Sequence, residues 1–393
     1  MNIVILGAGQ AAASLAAKLR ALGHAGPVTV IGDEPAPPYQ RPPLSKAYLL
    51  GQMDLDRLTL RGPDWWAEQD IAVHLGERAV AIDRARRVVV TDRGEYPWDA
   101  LALTLGANPR RLPAAMGGAL PGVHVVRNLA DIAGLQPALV AGRRLVVIGG
   151  GYIGLEAAAV ARKLGLDVTL VEAAPRILGR VAAPETAAMI RDLHRRHGVE
   201  IIEGVGIARI TGDTAAEGVE LADGRLLPAD LVICGIGVAP ETALAEAAGL
   251  AIDNGVATDA QGRTSDPGIW AAGDCASFPA PGGRLRLESV GNAIDMAEAV
   301  AANMLGAGAD YVPKPWFWSD QFDAKLQIAG LNLGYDRVVT RPGSVWYYRD
   351  GRLIAVDALN DARAYMIGKR LIEAGKSPAP ETLAEAPDLK ALL

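Results

Sequence analysis

The chain has 393 residues, 50% hydrophobic and 21% charged, with 45 glycines and 25 prolines. That length allows two or three domains with a substantial core, and the composition excludes a disordered or collagen-like chain. A net charge of −6 excludes a general coat for nucleic acid or anionic membrane, so neither is an expected partner. Cys234 and Cys275 are the only cysteines. They form no disulfide framework, no zinc spacing and no CxxC pair, and no metal site is expected. The uncharged stretch 1–17 lacks the basic n-region of a secretory signal, and no run reaches the roughly 18 apolar residues of a membrane span. A cytoplasmic protein is the expectation.

Residues 2–6 (NIVIL) read as a short buried strand, GAGQAA as a turn, and the alanine-rich stretch to Leu22 as a helix. A second strand over 28–31 ends at Asp33 and Glu34. Pro-rich and Trp-containing stretches (PAPPYQRPPLSK, GPDWW) then read as loops, followed by a strand-like run at 87–90. The opening arrangement returns in mid-chain: 144–148 (RLVVI) is a strand, GGGYIG the turn, 155–164 a helix, and 168–171 a strand ending at Glu172. Two such units in one chain predict two nucleotide-binding domains of one architecture rather than a solenoid. After Ala239 the pattern becomes loops with one marked strand, 268–272. From Pro313 onward short strands alternate (KLQIAGL, SVWYYR, RLIAVDAL), and a helix around 362–374 closes a separate α+β domain of balanced charge.

Gly7-x-Gly9-x-x-Ala12 follows a strand and opens a helix, the context that gives this pattern meaning. The first glycine permits a tight turn, the second lets backbone approach a pyrophosphate, and the small third residue allows close helix–strand packing. Asp33 or Glu34 stands where a carboxylate accepts hydrogen bonds from ribose hydroxyls; the bland alternative is a glycine turn with no ligand. The second copy is Gly149-x-Gly151-x-x-Gly154, with Tyr152 and Ile153 inside it and Glu172 at the end of the next strand. An acid there favours an unphosphorylated ribose, hence NADH over NADPH, although Arg176 could serve a phosphate if it folded back. Two dinucleotides imply a flavin and a nicotinamide. With no adjacent dithiol, electrons must leave the flavin by another route.

YQRPPLSKAYL, GGGYIGLEAA, WAAGDCA, LESVGNAID and WFWSDQFDAKLQIAGLNLGYDRVV are similar to segments of the NADH-dependent ferredoxin reductases of bacterial oxygenase systems. The resemblance spans essentially the whole chain. It implies an α/β, glutathione-reductase-like fold of two Rossmann-type nucleotide domains plus a C-terminal α+β domain. An FAD domain would cover 1–112 and 239–313, an NADH domain 113–238, and the C-terminal domain 314–393.

The resemblance also implies roles. Lys46 of PPLSK would sit near the flavin N5 edge with Glu156 paired to it, a cation there stabilising charge on the reduced flavin. The bland readings are a solvated loop lysine and an acid in the first turn of a helix, favoured by the helix dipole. Asp274 would bond a ribityl hydroxyl, or simply cap a helix. Arg41 and Arg110 would lie near the pyrophosphate, or on the surface. Val290 of LESV completes the FAD set. Trp318 would lie against the flavin region near the ferredoxin face, or in a Trp-rich core. Gly235 and Gly237 would pass close to the nicotinamide, or serve a crossover with unusual dihedrals. Four features depart from the family pattern: Ala12 at the end of the first fingerprint, a tolerated variant, LTLGA at 103–107, Gly291, and Met296, the last two standing where amides are expected.

The implied activity is NADH:ferredoxin reduction. FAD takes a hydride from NADH and passes single electrons to an acidic 2Fe-2S ferredoxin that feeds an oxygenase. KLQIAGL and GYDRVV look more like reductases serving haem-thiolate monooxygenases than ring-hydroxylating dioxygenases. Arg363, Lys369 and Arg370 in the last helix are candidate ferredoxin contacts, or a solvated helix face. The five histidines (His24, His74, His124, His194, His197) receive no role. The competing readings are an NADH oxidase-type flavoenzyme, a redox-sensing binding protein similar to apoptosis-inducing factor, and a scaffold that has lost its flavin.

Overall fold

The computed structural model describes residues 1–393. The chain divides into two compact units, Met1–Arg41 with Asp54–Asn108 and Ala239–Pro315, and Pro42–Met53 with Pro109–Val238 and Trp316–Leu393.

The first unit is built on a five-stranded parallel sheet in the order Ile269–Ala271, Ala100–Leu103, Ile3–Leu6, Val28–Gly32, Ile71–Leu75. All four residues of Ile3–Leu6 are buried, as a strand covered on both faces requires. The helix Gln10–Ala21 buries Ala11, Ala12, Ala13, Leu15, Ala16 and Leu19. Those small side chains let it pack closely on the helix Val290–Met304, which buries Ala293, Met296, Ala297, Val300 and Ala301 in the same core. Two three-stranded sheets complete this unit.

That second helix corrects the reading of 239–313 as loops with one strand. At 15 residues it is the longest helix of the chain. Its first turn carries Gly291 and Asn292, poor helix formers that mask the signal. Ser289 starts it nonetheless, its side chain accepting from the Asn292 N–H. GPDWW also differs from expectation: Pro63–Glu68 is a short helix with proline at its first position, where the missing N–H costs nothing.

The second unit repeats the plan with a parallel sheet ordered Glu200–Glu203, Asp167–Glu172, Arg144–Ile148, Leu231–Cys234, Val123–His124. The helix after its glycine turn starts at Tyr152, three residues before the predicted start, and runs to Lys163. The C-terminal part is an antiparallel sheet ordered Trp316–Gln321, Ala324–Gly330, Arg352–Leu359, Ser344–Arg349, Arg337–Arg341. The helix Ala362–Glu373 covers one face through Ala364, Ile367 and Leu371. It does not close the chain: a short helix, Pro380–Glu385, and a 3₁₀ turn, Leu389–Leu392, follow. The segment Pro42–Met53, which includes the 3₁₀ turn Pro42–Ser45, belongs to this unit although it lies far upstream in sequence.

Candidate functional site

In the first unit Gly7 has φ +97, and a Cβ on it would lie 2.4 Å from the Thr104 carbonyl oxygen. Thr104 Oγ1 in turn donates to the Leu6 and Gly7 carbonyls at 2.9 and 2.8 Å, so the departing LTLGA segment still grips the turn. Gly9 is the N-cap of the helix Gln10–Ala21. It offers no side-chain cap, the first turn holds no acid, and nothing lies within 4 Å of where its Cβ would be. The helix therefore presents unpaired N–H groups and a positive dipole end to open space. Ala12 is fully buried behind it.

Beyond the next strand, Asp33 is exposed, whereas Glu34 accepts from Tyr39 Oη (2.5 Å) and Arg41 Nη2 (2.6 Å). The neighbouring carboxylate and phenol raise the Arg41 pKa further despite its burial. Asp274 lies inside the 3₁₀ turn Gly273–Cys275, whose N-cap is Ala272, so the capping reading does not apply. Val290 is the first residue of the helix Val290–Met304.

The second unit carries the same device. Gly149 has φ +107, and its Cβ would meet the Gly235 carbonyl oxygen at 2.4 Å. Gly151 is an N-cap without side chain or first-turn acid, open to 4 Å. A Cβ on Gly154 would strike the Gly149 carbonyl oxygen at 2.1 Å, while Gly235 backs onto Gly154. Gly237 has φ +97. Ile153 is exposed. Glu172 accepts from the Gly150 and Ala174 N–H groups at 2.7 Å each, which places its carboxylate against the turn. Arg176 is committed to backbone, donating to the Ala182 carbonyl at 2.7 Å. Arg110 is exposed, and its amide and Nε bond the Gly237 and Val238 carbonyls. The two turns thus fit dinucleotides by the same test: close backbone approach and an uncapped helix N-terminus with no acid in its first turn, Glu172 engaging only the Gly150 N–H ahead of the second helix.

Lys46 and Glu156 are joined by a 2.8 Å ion pair between Nζ and Oε2. Glu156 is the fifth residue of its helix and 1% exposed, so the first-turn alternative does not hold. Ser45 Oγ donates to Oε2 (2.5 Å) and Ser319 Oγ to Oε1 (2.6 Å). Burial pushes the carboxyl up; Lys46 and the two hydroxyls pull it back, and burial prevails.

The geometry follows from two periodicities. Tyr152 and Glu156 are four apart on a helix, about 6 Å along its axis. Phe317 and Ser319 are two apart on a strand, about 6.6 Å. The Phe317 ring accordingly meets Tyr152, at 4.7 Å between centroids, while the Ser319 hydroxyl meets Glu156. Trp316 and Trp318 share the opposite face and stack at 5.5 Å, half-buried rather than in a core.

Sequence reasoning missed Ser45, Ser319, Gln321 and His194. Gln321 bonds Ser319, and the buried His194 bonds Gln321. The alternation WFWSDQ carries a weak signal, since it sets Ser319 and Gln321 on one face. Two of the three last-helix cations already have partners, Arg363 with Asp388 and Lys369 with Glu373, which reduces the local excess of positive charge. Both cysteines are free and buried, their thiols pushed up to about 11 by burial, so neither is a ready thiolate. No helix is long and apolar enough to cross a membrane.

Residues 1–297 match the family described as pyridine nucleotide-disulphide oxidoreductase, and 316–393 match the family described as reductase C-terminal. Rhodocoxin reductase of Rhodococcus erythropolis is 42% identical, over 99% of this chain and 94% of its own length. The ferredoxin–NAD(+) reductase component of an anthranilate 1,2-dioxygenase system of Burkholderia cepacia is 39% identical, over 97% and 96%. The reductase in a covalent putidaredoxin reductase–putidaredoxin complex superposes with a TM-score of 0.95 at 40% identity, over 100% of this chain and 97% of that one. The chain belongs to the pyridine nucleotide-disulphide oxidoreductases, in the branch of the ferredoxin reductases, and its cofactors are FAD and NAD(H).

Proposed function

We propose that this protein is a cytoplasmic, FAD-dependent NADH:ferredoxin reductase that supplies an oxygenase. The observation that carries the reading is the pair of glycine cradles, each opening an uncapped helix, in a chain with no dithiol to receive electrons. When bound, FAD supplies two-electron acceptance from NADH and one-electron delivery to a 2Fe-2S ferredoxin. The first-unit residues Gly7, Gly9, Ala12, Asp33, Glu34, Arg41, Asp274 and Val290 hold the FAD. Lys46, Arg110 and Trp318 are the further residues assigned to the flavin. Gly149, Gly151, Tyr152, Ile153, Gly154, Gly235 and Gly237 hold the nicotinamide dinucleotide. Glu172, at the strand end, selects the unphosphorylated ribose and repels a 2′-phosphate. Lys46, kept in place by Glu156, supplies positive charge where the flavin gains electrons.

The phrases KLQIAGL and GYDRVV support a haem-thiolate monooxygenase as the end user. Relatives named for an O-demethylase and for dioxygenase systems are 42%, 39% and 37% identical, so the reading is tested by function. Purified enzyme, titrated anaerobically, should be bleached by about one NADH per flavin and poorly by NADPH. Glu172→Gln should narrow that preference about tenfold in kcat/KM. A flavin that NADH cannot reduce overturns the reductase reading, and equal use of NADPH overturns the role of Glu172. Faster turnover with dioxygenase ferredoxins than with monooxygenase ferredoxins overturns the assignment of the end user.

A further inference from the structure

The polar contacts of Glu156 do not stop at Ser319. Ser319 gives its single proton to the carboxylate, so its oxygen accepts the N–H of Gln321 Nε2 at 2.9 Å. That fixes the amide, whose Oε1 then faces His194 Nε2 at 2.8 Å and requires a proton on that nitrogen. His194 is fully buried and its Nδ1 has no partner. Burial, with His197 nearby, lowers its pKa to about 4, so the ring is neutral. Every donor therefore points the same way: His194 to Gln321, Gln321 to Ser319, Ser319 to Glu156. Such a chain polarises cumulatively toward the negative end. Its members come from the helix Pro184–Arg196, the strand Trp316–Gln321 and the helix Tyr152–Lys163, all within the second unit.

We propose that Ser319, Gln321 and His194 are positioning residues that hold the Glu156 carboxylate ionised and in one orientation against Lys46, and so keep the reduction potential of the flavin steady around neutral pH. The proposal rests on the reading that Lys46 and Glu156 serve the flavin. The titratable groups around the carboxylate are Lys46 and Tyr152; the imidazole faces His197. Tyr152 stays neutral, because burial and then Asp357 hold its phenol well up. A proton taken by Glu156 would leave Lys46 uncompensated and raise the potential. Removing a hydrogen bond to a carboxylate raises its proton affinity about tenfold, which is about one pH unit.

The test is the midpoint potential of the FAD-loaded enzyme against pH, without NADH or ferredoxin, for wild type, Glu156→Gln, Ser319→Ala and Gln321→Met. Glu156→Gln should raise the potential and abolish the inflection caused by Glu156. Ser319→Ala should move that inflection up by about one pH unit, and Gln321→Met should move it less in the same direction. A Glu156→Gln effect with unmoved Ser319→Ala and Gln321→Met curves overturns the positioning chain alone. No effect of Glu156→Gln overturns the underlying reading of the pair. ¹⁵N-histidine spectra of wild type give a check independent of variants, since the chain has five histidines. A buried imidazole protonated only at Nε2 and not titrating between pH 5.5 and 8 supports the chain; the other tautomer, or titration of His194 in that range, overturns it.

Discussion

Replacing Lys46 by Met removes one end of a buried ion pair and leaves the other in place. At 2.8 Å and an effective dielectric constant near 20, the gross attraction is about 6 kcal/mol. The net loss is smaller, because the stranded carboxyl can take a proton and still be served by Ser45 and Ser319. Its cost is then set by pH. Glu156 already titrates above the unfolded range because of burial, and losing Lys46, the largest opposing influence, raises it further. A carboxyl protonated in the fold but ionised in the unfolded chain makes stability fall as pH rises, by about 1.4 kcal/mol per pH unit. The variant should therefore match wild type most closely near pH 5. It should fall progressively behind above the pH where the wild-type carboxyl ionises, levelling at about 3–5 kcal/mol once its own carboxyl is charged. For a unit of 150–250 residues this is a Tm gap widening by roughly 3–6 °C per pH unit. Thermal melts of the FAD-saturated proteins from pH 5 to 8 read it directly. Lys46→Met/Glu156→Gln has nothing to ionise and should lose the slope. A gap constant with pH, or one that the second substitution leaves unchanged, refutes the reasoning.

Gly149→Ala forces a side chain into φ +107 and to 2.4 Å from the Gly235 carbonyl, and should cost at least about 2 kcal/mol in urea unfolding. Gly151→Ala meets open space and should stay within about 1 kcal/mol of wild type, yet lose NADH affinity in a binding titration because the Cβ stands where the pyrophosphate approaches. Asp357 is pushed up to about 6 by burial, against the bonds from Tyr347 and Thr186. Its contribution is full below the unfolded value near 3.9 and is lost as pH rises through 6, about 3 kcal/mol in all. Asp357→Asn should therefore gain on wild type as pH rises from about 4 to about 6 and hold that gain above it, and equal stability differences at pH 5 and 8 would contradict this. Reversing Lys369 and Arg370 to Glu should slow ferredoxin reduction and weaken its salt dependence; unchanged stopped-flow rates at low salt would remove both from the docking face.

Some features of this protein are written in stretches of chain short enough for local geometry to dictate. The turns at Gly7 and Gly149 are two of these, since a positive φ beside a neighbouring carbonyl admits little but glycine. The apolar runs leading into them, the helices leaving them and the acids closing the following strands are equally local, and periodicity finds them. The missing dithiol is legible from composition alone. Local signals failed where they conflict: Gly291 and Asn292 hid the helix Val290–Met304, which exists because Ser289 caps it and the first unit's core covers its apolar face.

Periodicity states which face of an element is buried, never what it is buried against. It set Ser319 and Gln321 on one side of a strand, but only the tertiary structure brought that side to Glu156, 163 positions away, and to His194. Folding likewise carried Pro42–Met53, and Lys46 with it, into the second unit, 110 positions from its carboxylate partner. It also set Asp388 beside Arg363, 25 positions away, one of the cations that the sequence offered as a docking patch. Burying a charge is costly unless its partners arrive together, and when those partners come from distant segments only the packed chain assembles them.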